Sequence, residues 1–247
     1  MQPKRNRRNG EVRPGMGVDE ASRALLALTR RLLDVIGSKS LDPFLGDWPH
    51  AAAARAIIAS TLPVLRWLPA IVALNLESGA STARPGASMT VGGASTTVGA
   101  STTVGASATM LAAALVERLA ETATSFAWHQ TYTNRDLDDE FLNNYGWSEL
   151  IGLCGPLCSE RLAGGFLMLG PHTLYPRHRH EAEEIYVPLA GAAAWQQGDG
   201  IWREKTPGGL IHHASREPHA MRTAAEPLLA LYLWRGTGLS QPSRLDD

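Results

Sequence analysis

Two textures of apolar and polar positions divide the chain. From Asp19 the residues Leu25, Leu26, Leu28, Leu32, Leu33 and Ile36 recur at steps of three and four. That period predicts an amphipathic helix, with Asp19 capping its orphan N–H groups and Gly37 ending it. The loop SLDPFLGDWPH leads to a second helical stretch over about 51–62, and Pro63 opens or kinks a third that runs through Leu74. Another helix is expected from Thr109, a candidate cap, with Leu111, Leu115 and Leu119 along one face. None of these is apolar all round, so each needs a surface to pack on: the outside of a β-domain, or the equivalent helices of a second subunit. After Glu149 the texture changes to short runs, GGFLMLG, EEIYVPLAG, AAAWQQ, GIWRE, GGLIHH, AMRT and PLLALYLW, punctuated by Gly and Pro. Such runs predict a β-sandwich or barrel.

Between the helical stretches, residues 79–108 contain GASTTVGASTTVGAS, an imperfect six-residue repeat with almost no charge. So few turns cannot bury a core as a β-helix, and the composition reads as a flexible insertion. The layout expected is a disordered basic tail over 1–17 and a helical extension over 18–135 that the insertion interrupts. A β-barrel catalytic domain follows over 136–238, then a tail over 239–247.

Composition narrows the function class. With 247 residues, 44% of them hydrophobic, the chain can bury a substantial core, and its net charge of −1 sets up no field toward nucleic acid or membrane. Lys4, Arg5, Arg7, Arg8 and Arg13 sit among Gly and Pro and read as a solvated tail. No apolar run suits a signal peptide or a transmembrane helix, so a soluble, cytoplasmic protein is expected. Cys154 and Cys158 lack the second pair of a metal knuckle and are expected as free or partly buried thiols. The acidic stretch DLDDEFLNN lacks the Gly and distal Glu of a calcium loop and is expected as a solvated turn.

The candidate chemistry lies in GPHTLYPRHRHEAEEIYVPLAG, residues 170–191. In an extended segment His178 and His180 share one side, and Glu184 and Tyr186 share one side after a short turn. Two imidazoles and a carboxylate suit a borderline divalent metal, and a phenol two residues past the carboxylate would stand beside it. A further ligand should come from another strand. Of the later histidines, His219 in EPHAMRT opens an alternating run and is the choice, whereas His172, His212 and His213 read as loop residues or as groups that orient a ligand. Three imidazoles and one carboxylate leave open positions on one divalent transition ion, zinc, iron, manganese, cobalt or nickel, as in a catalytic site. Such a centre could polarise a substrate carboxylate and acidify the neighbouring carbon. Tyr186 then reads in two ways, as the base or as a strand aromatic with a buried hydroxyl.

The arrangement G-(x)n-H-x-H-x-x-x-E, a strand, then P-G-(x)n-P-H resembles the two cupin motifs, here Gly170–Glu184 and Pro207–His219. More narrowly, YPRHRHEAEEIYVPLAG, AAAWQQGDGIWR, GGLIHHASREPHAMRT and EPLLALYLWRG resemble the cupin-type dimethylsulfoniopropionate lyases and their lyase-like relatives, densely over about residues 140–236. The resemblance implies a mainly β fold, a cupin (jelly-roll) barrel with an N-terminal α-helical extension. It implies β-elimination of dimethylsulfoniopropionate to dimethyl sulfide and acrylate. His178, His180, Glu184 and His219 would be the metal ligands, Tyr186 the base for the α-proton, and Tyr175 a second tyrosine that orients the substrate or shares base duty. The sulfonium leaves as a neutral thioether and needs no general acid. Its positive charge calls for aromatic faces, for which Trp128, Tyr132, Trp195 and Trp202 are the candidates. The expected partner is the small-molecule substrate, with neither nucleic acid nor membrane, and a homodimer is one assembly open to the helices. The same ligand set also serves metal-dependent dioxygenases or isomerases of other small carboxylic acids, and a non-catalytic cupin that binds a small acid. The repeat insertion departs from the family pattern.

Overall fold

The computed structural model describes residues 18–50, 52–82 and 99–246. The expected basic tail and the middle of the repeat, residues 83–98, lie outside the described residues. In chain order the helices are α1 (Val18–Ile36), α2 (Asp42–Gly46), α3 (Leu68–Thr82), α4 (Gly99–Thr122) and α5 (Asp139–Asn143). The strands are β1 (Trp128–His129), β2 (Tyr145–Gly152), β3 (Leu157–Cys158), β4 (Leu162–Leu169), β5 (Leu174–Arg179), β6 (Glu183–Ala190), β7 (Ala193–Gln197), β8 (Arg203–Lys205), β9 (Ile211–His213), β10 (His219–Thr223), β11 (Leu228–Arg235) and β12 (Arg244–Leu245).

The strands form two sheets. One runs β1-β2-β4-β11-β6-β9 with β3 beside β2, and the other runs β12-β5-β10-β7-β8. Apart from the parallel β2–β3 pair, the neighbours are antiparallel. The two face each other as a jelly-roll barrel of the cupin class, mainly β, with the helices as an N-terminal extension.

Alternation along the strands of the larger sheet separates two cores. Ile185, Val187 and Leu189 of β6, Leu229, Leu231 and Leu233 of β11, and Phe166 and Met168 of β4 point outward and pack with Leu25, Leu32 and Leu33 of α1 and Leu115 and Leu119 of α4. The outside of the barrel is therefore the surface the helices need, and each leucine fully buried there contributes about 1.5–3 kcal/mol relative to exposure. The inward residues, among them Tyr145, Leu167, Tyr186 and Tyr232, form the second core with Tyr175, Trp195 and Met221 of the smaller sheet.

Several expected elements are corrected. Asp19 lies inside the first turn of α1, where it pairs with Arg23 at 3.0 Å, rather than at the cap. Gly37 does end α1, at φ +60° with its N–H donating to the Leu33 carbonyl at 3.1 Å. The stretch 52–62 is extended, not helical: Ala54 bridges Leu157, Ser60 bridges Ala127, and the Arg55 N–H donates to the Pro156 carbonyl at 2.9 Å. Pairing with the barrel outweighs the helix propensity of its alanines. α3 continues to Thr82 and α4 starts at Gly99, so both ends of the repeat region are helical. Thr109 sits within α4, its Oγ1 donating to the Gly105 carbonyl at 3.0 Å, and caps nothing. The acidic stretch forms α5, whose cap Asp138 accepts the Phe141 N–H at 2.8 Å. Residues 239–246, expected as a tail, return to the barrel and end in β12 against β5. Cys154 and Cys158 are free.

Candidate metal centre and cavity

β6 carries Glu184 and Tyr186 at period two, both inward, and β11 sets Trp234 and Tyr232 directly opposite them. On the other sheet, His219 of β10 opposes His178 of β5 and Met221 opposes Tyr175, so three steps on β5 span two on β10. This bulge changes the parity of β5. Tyr175 and His178 consequently share a face, and their rings stack at 3.9 Å with 9° between planes.

Three of the four expected ligands meet at one point. The ligand atoms of His180, Glu184 and His219 lie within 4.8 Å of one another, and all three residues are buried. Glu184 Oε2 is 2.9 Å from His180 Nε2 and 3.2 Å from His219 Nε2. His178 stands beside them, its ring centroid 4.2 Å from that of His219 and 6.5 Å from that of His180.

The tautomers follow from the backbone. His178 Nδ1 lies 2.8 Å from the Pro176 carbonyl, His180 Nδ1 2.9 Å from that of Ala182, and His219 Nδ1 2.9 Å from that of Glu217. A carbonyl can only accept, so each Nδ1 carries the proton and each neutral ring turns a lone pair outward at Nε2. Nε2 of His219 is buried and, among the described residues, has no hydrogen-bond partner despite its closeness to Glu184. Lone pairs facing a carboxylate in a buried space require a cation between them, and the donor set fits a divalent metal ion. In its absence a proton serves: burial alone would lower the His180 pKa, but the charge and hydrogen bond of Glu184 outweigh it and raise it. Burial would likewise raise Glu184, yet His180 and His219 hold it well below the usual carboxylate range. Burial, then His219, push His178 well down. Glu184 Oε1 accepts Trp234 Nε1–H at 2.6 Å, which orients the carboxylate.

The other histidines differ from one another. His172 lies in a turn at φ +53°. His212 pairs with Glu183 at 2.8 Å. His213 is fully buried in β9, stacked on His219 at 3.9 Å, with neither ring nitrogen hydrogen-bonded among the described residues. Burial lowers its pKa to about 3, so it is a neutral backing for His219.

A cavity of about 280 Å³ opens beside the centre. Glu184, Tyr186 and Tyr175 line it, as expected for the first two from β6. The aromatic walls are not the expected ones. Trp128 of β1 opposes Ser148 of β2, packs in the helix-facing core, and donates from Nε1 to the Ala123 carbonyl at 2.9 Å. Trp195 is buried in the inner core without lining the cavity, its ring 6.3 Å from that of Tyr186. Trp202 lies under the Arg222 guanidinium at 4.4 Å, outside the lining. Tyr132 is one layer back, its hydroxyl 3.3 Å from that of Tyr175. The walls instead come from Tyr145 and Trp147 of β2 and Tyr232 and Trp234 of β11, joined by Glu149 and by residues 239–243. YGWSELIG and LLALYLWR carry these residues at period two, which is the signal that points to them.

Comparison with known proteins follows the same lines. The family model for dimethylsulfoniopropionate lyase matches residues 99–230, just over half of the chain. Dimethylsulfoniopropionate lyase DddQ of Ruegeria pomeroyi is 36% identical over 124 residues, 50% of this chain and 62% of that protein. The putative dimethylsulfoniopropionate lyase DddL of Cereibacter sphaeroides is 34% identical over 128 residues, 50% of this chain and 53% of that protein. The matches thus span less than two thirds of these curated relatives. Among solved structures, DddQ from Ruegeria pomeroyi aligns with TM-score 0.67 and 27% identity, covering 92% of this chain and 96% of that one. A chain from the structures of the lyases RdDddP and RnDddQII aligns with TM-score 0.67 and 26% identity, covering 92% of this chain and all of that one. By its family match, and with a jelly-roll barrel around a buried His/Glu group, this chain belongs to the dimethylsulfoniopropionate lyase family.

Proposed function

We propose that the chain is a metal-dependent lyase that cleaves dimethylsulfoniopropionate by β-elimination to dimethyl sulfide and acrylate. The carrying observation is the buried convergence of His180, Glu184 and His219 beside a cavity that Glu184, Tyr186 and Tyr175 line. His178, His180, Glu184 and His219 would hold one divalent transition ion, zinc, iron, manganese, cobalt or nickel. When bound, that ion supplies Lewis acidity toward the substrate carboxylate and offsets the charge of Glu184.

The residues of the chain do the rest. Tyr186 takes the proton from the carbon next to the carboxylate. Burial, and then the negative charge of Glu184, push its phenol well above the ordinary 10, so neutralising Glu184 removes one of the causes that disfavour the phenolate. Tyr175, fixed by hydroxyl contacts to Tyr132 at 3.3 Å and Tyr145 at 3.5 Å, orients the substrate beside it. The C–H electron pair becomes the new C=C bond, and the C–S pair leaves with sulfur. A neutral thioether departs, so no acid is required at the leaving group. The test is headspace detection of dimethyl sulfide from purified protein given the sulfonium acid, before and after chelation. Release that chelation abolishes is expected, and no release from folded, metal-loaded protein overturns the reading.

A further inference from the structure

The cavity contains a second carboxylate, far along the sheet from the metal ligands. Glu149 is 8% exposed and lines the same space as Glu184. Its Oε1 accepts the N–H groups of Cys154 at 2.5 Å and Gly155 at 2.6 Å. The loop turns around it at Gly152, where φ is +141° and an added Cβ would meet Oε1 at 2.5 Å. Arg55 binds the Gly155 carbonyl at 2.7 Å and the Gly152 carbonyl at 3.3 Å, and among the described residues no Lys or Arg forms an ion pair with Glu149. Burial lifts the Glu149 pKa above its ordinary value, while the two amides and the charge of Arg55 offset only part of that. A buried carboxylate in this condition gains from a cation that enters the cavity.

The register shows what would fit. Glu149 pairs with Gly165, Gly165 with Tyr232, and Tyr232 with Tyr186. At roughly 4.8 Å per strand, Tyr232 lies about 10 Å from Glu149 and Tyr186 about 5 Å further. Gly165 puts no side chain into the first span. The walls there are aromatic: Trp147 meets Tyr232 edge-on at 6.4 Å, and Tyr232 meets Trp234 at 6.3 Å. Aromatic faces beside an anion bind onium groups.

We propose that Glu149, with Trp147 and Tyr232, binds the cationic onium end of a zwitterionic acid whose carboxylate end faces Tyr186 and the His/Glu group. The proposal rests on the lyase reading and gives it a specificity determinant: a charged onium, distinguished from a neutral group of the same shape.

Calorimetric titration of metal-loaded protein with two non-reacting probes tests this without turnover. One probe is 3-(trimethylammonio)propionate, the other its neutral carbon isostere 4,4-dimethylpentanoate. The wild-type chain should bind the ammonium acid about tenfold more tightly. In Glu149→Gln the amide oxygen still accepts from the 154–155 loop, so the affinity for the isostere should hold while the preference falls to about twofold or less. Equal affinity of the wild-type chain for both probes overturns the proposal. So does an unchanged preference in Glu149→Gln, or an equal loss of both probes. A preference for the cation without dimethyl sulfide release supports the onium site and removes the lyase reading alone.

Discussion

The indole of Trp234 donates from Nε1 to Oε1 of Glu184 at 2.6 Å, across the β6–β11 pairing that sets the two residues opposite each other. The bond leaves Oε2 to face His180 and His219. Trp234→Phe keeps the ring and removes the donor, so it should weaken metal binding by about 10–100-fold, as measured by competition with a chromogenic chelator. An unchanged affinity would show that the carboxylate is held by other means.

Ligands and base should separate. His180→Ala or Glu184→Ala should abolish bound metal and turnover together, read by elemental analysis and dimethyl sulfide release. Tyr186→Phe should retain the metal and lose about 10²–10⁴ in kcat. Retained turnover in Tyr186→Phe would remove it as the base.

The site should couple pH to metal. Without metal, His180 has a raised pKa, so its stabilising share is complete below the unfolded value of 6.5 and is lost as pH rises through the folded one. Glu184 has a depressed pKa, so its share is present above the unfolded 4.5 and is lost as pH falls through the folded one. The metal-free pair therefore stabilises most between these two values. Metal competes with the His180 proton, so the rise in Tm on adding zinc should grow between about pH 6 and about pH 8. Differential scanning fluorimetry checks this, and a shift that shrinks with pH would contradict it.

Trp128 provides a contrast. Its indole bonds to Ala123 in the helix-facing core, so Trp128→Phe should lower stability by about 1–2 kcal/mol in urea unfolding and leave KM unchanged. A rise in KM would mean that this ring does reach the substrate.

The chain end should matter to binding. Residues 239–243 line the cavity, Leu245 pairs with His178, and the Asp246 carboxylate holds Arg177 at 2.9 Å and also Arg179. Ending the chain after Gly238 should raise KM about tenfold while the barrel stays folded by circular dichroism.

The sequence by itself determined the local periods and the ligand types. A repeat at three and four residues placed α1, and alternation on β6 placed Glu184 and Tyr186 inside with Ile185 and Val187 against the helices, because a strand has only two faces. His178, His180 and Glu184 could be chosen from ligand type and spacing, and His219 because it opens the alternating run of EPHAMRT. What only the tertiary structure decided depends on partners distant in the chain. The bulge that turns Tyr175 onto the face of His178 exists only in the pairing of β5 with β10. Residues 52–62 became extended because the barrel supplied their hydrogen bonds. The aromatic walls fell to Trp147, Tyr232 and Trp234 rather than to Trp128, Trp195 and Trp202, since the side of a sheet that closes around a cavity is set by which strands become neighbours, and no single segment carries that information.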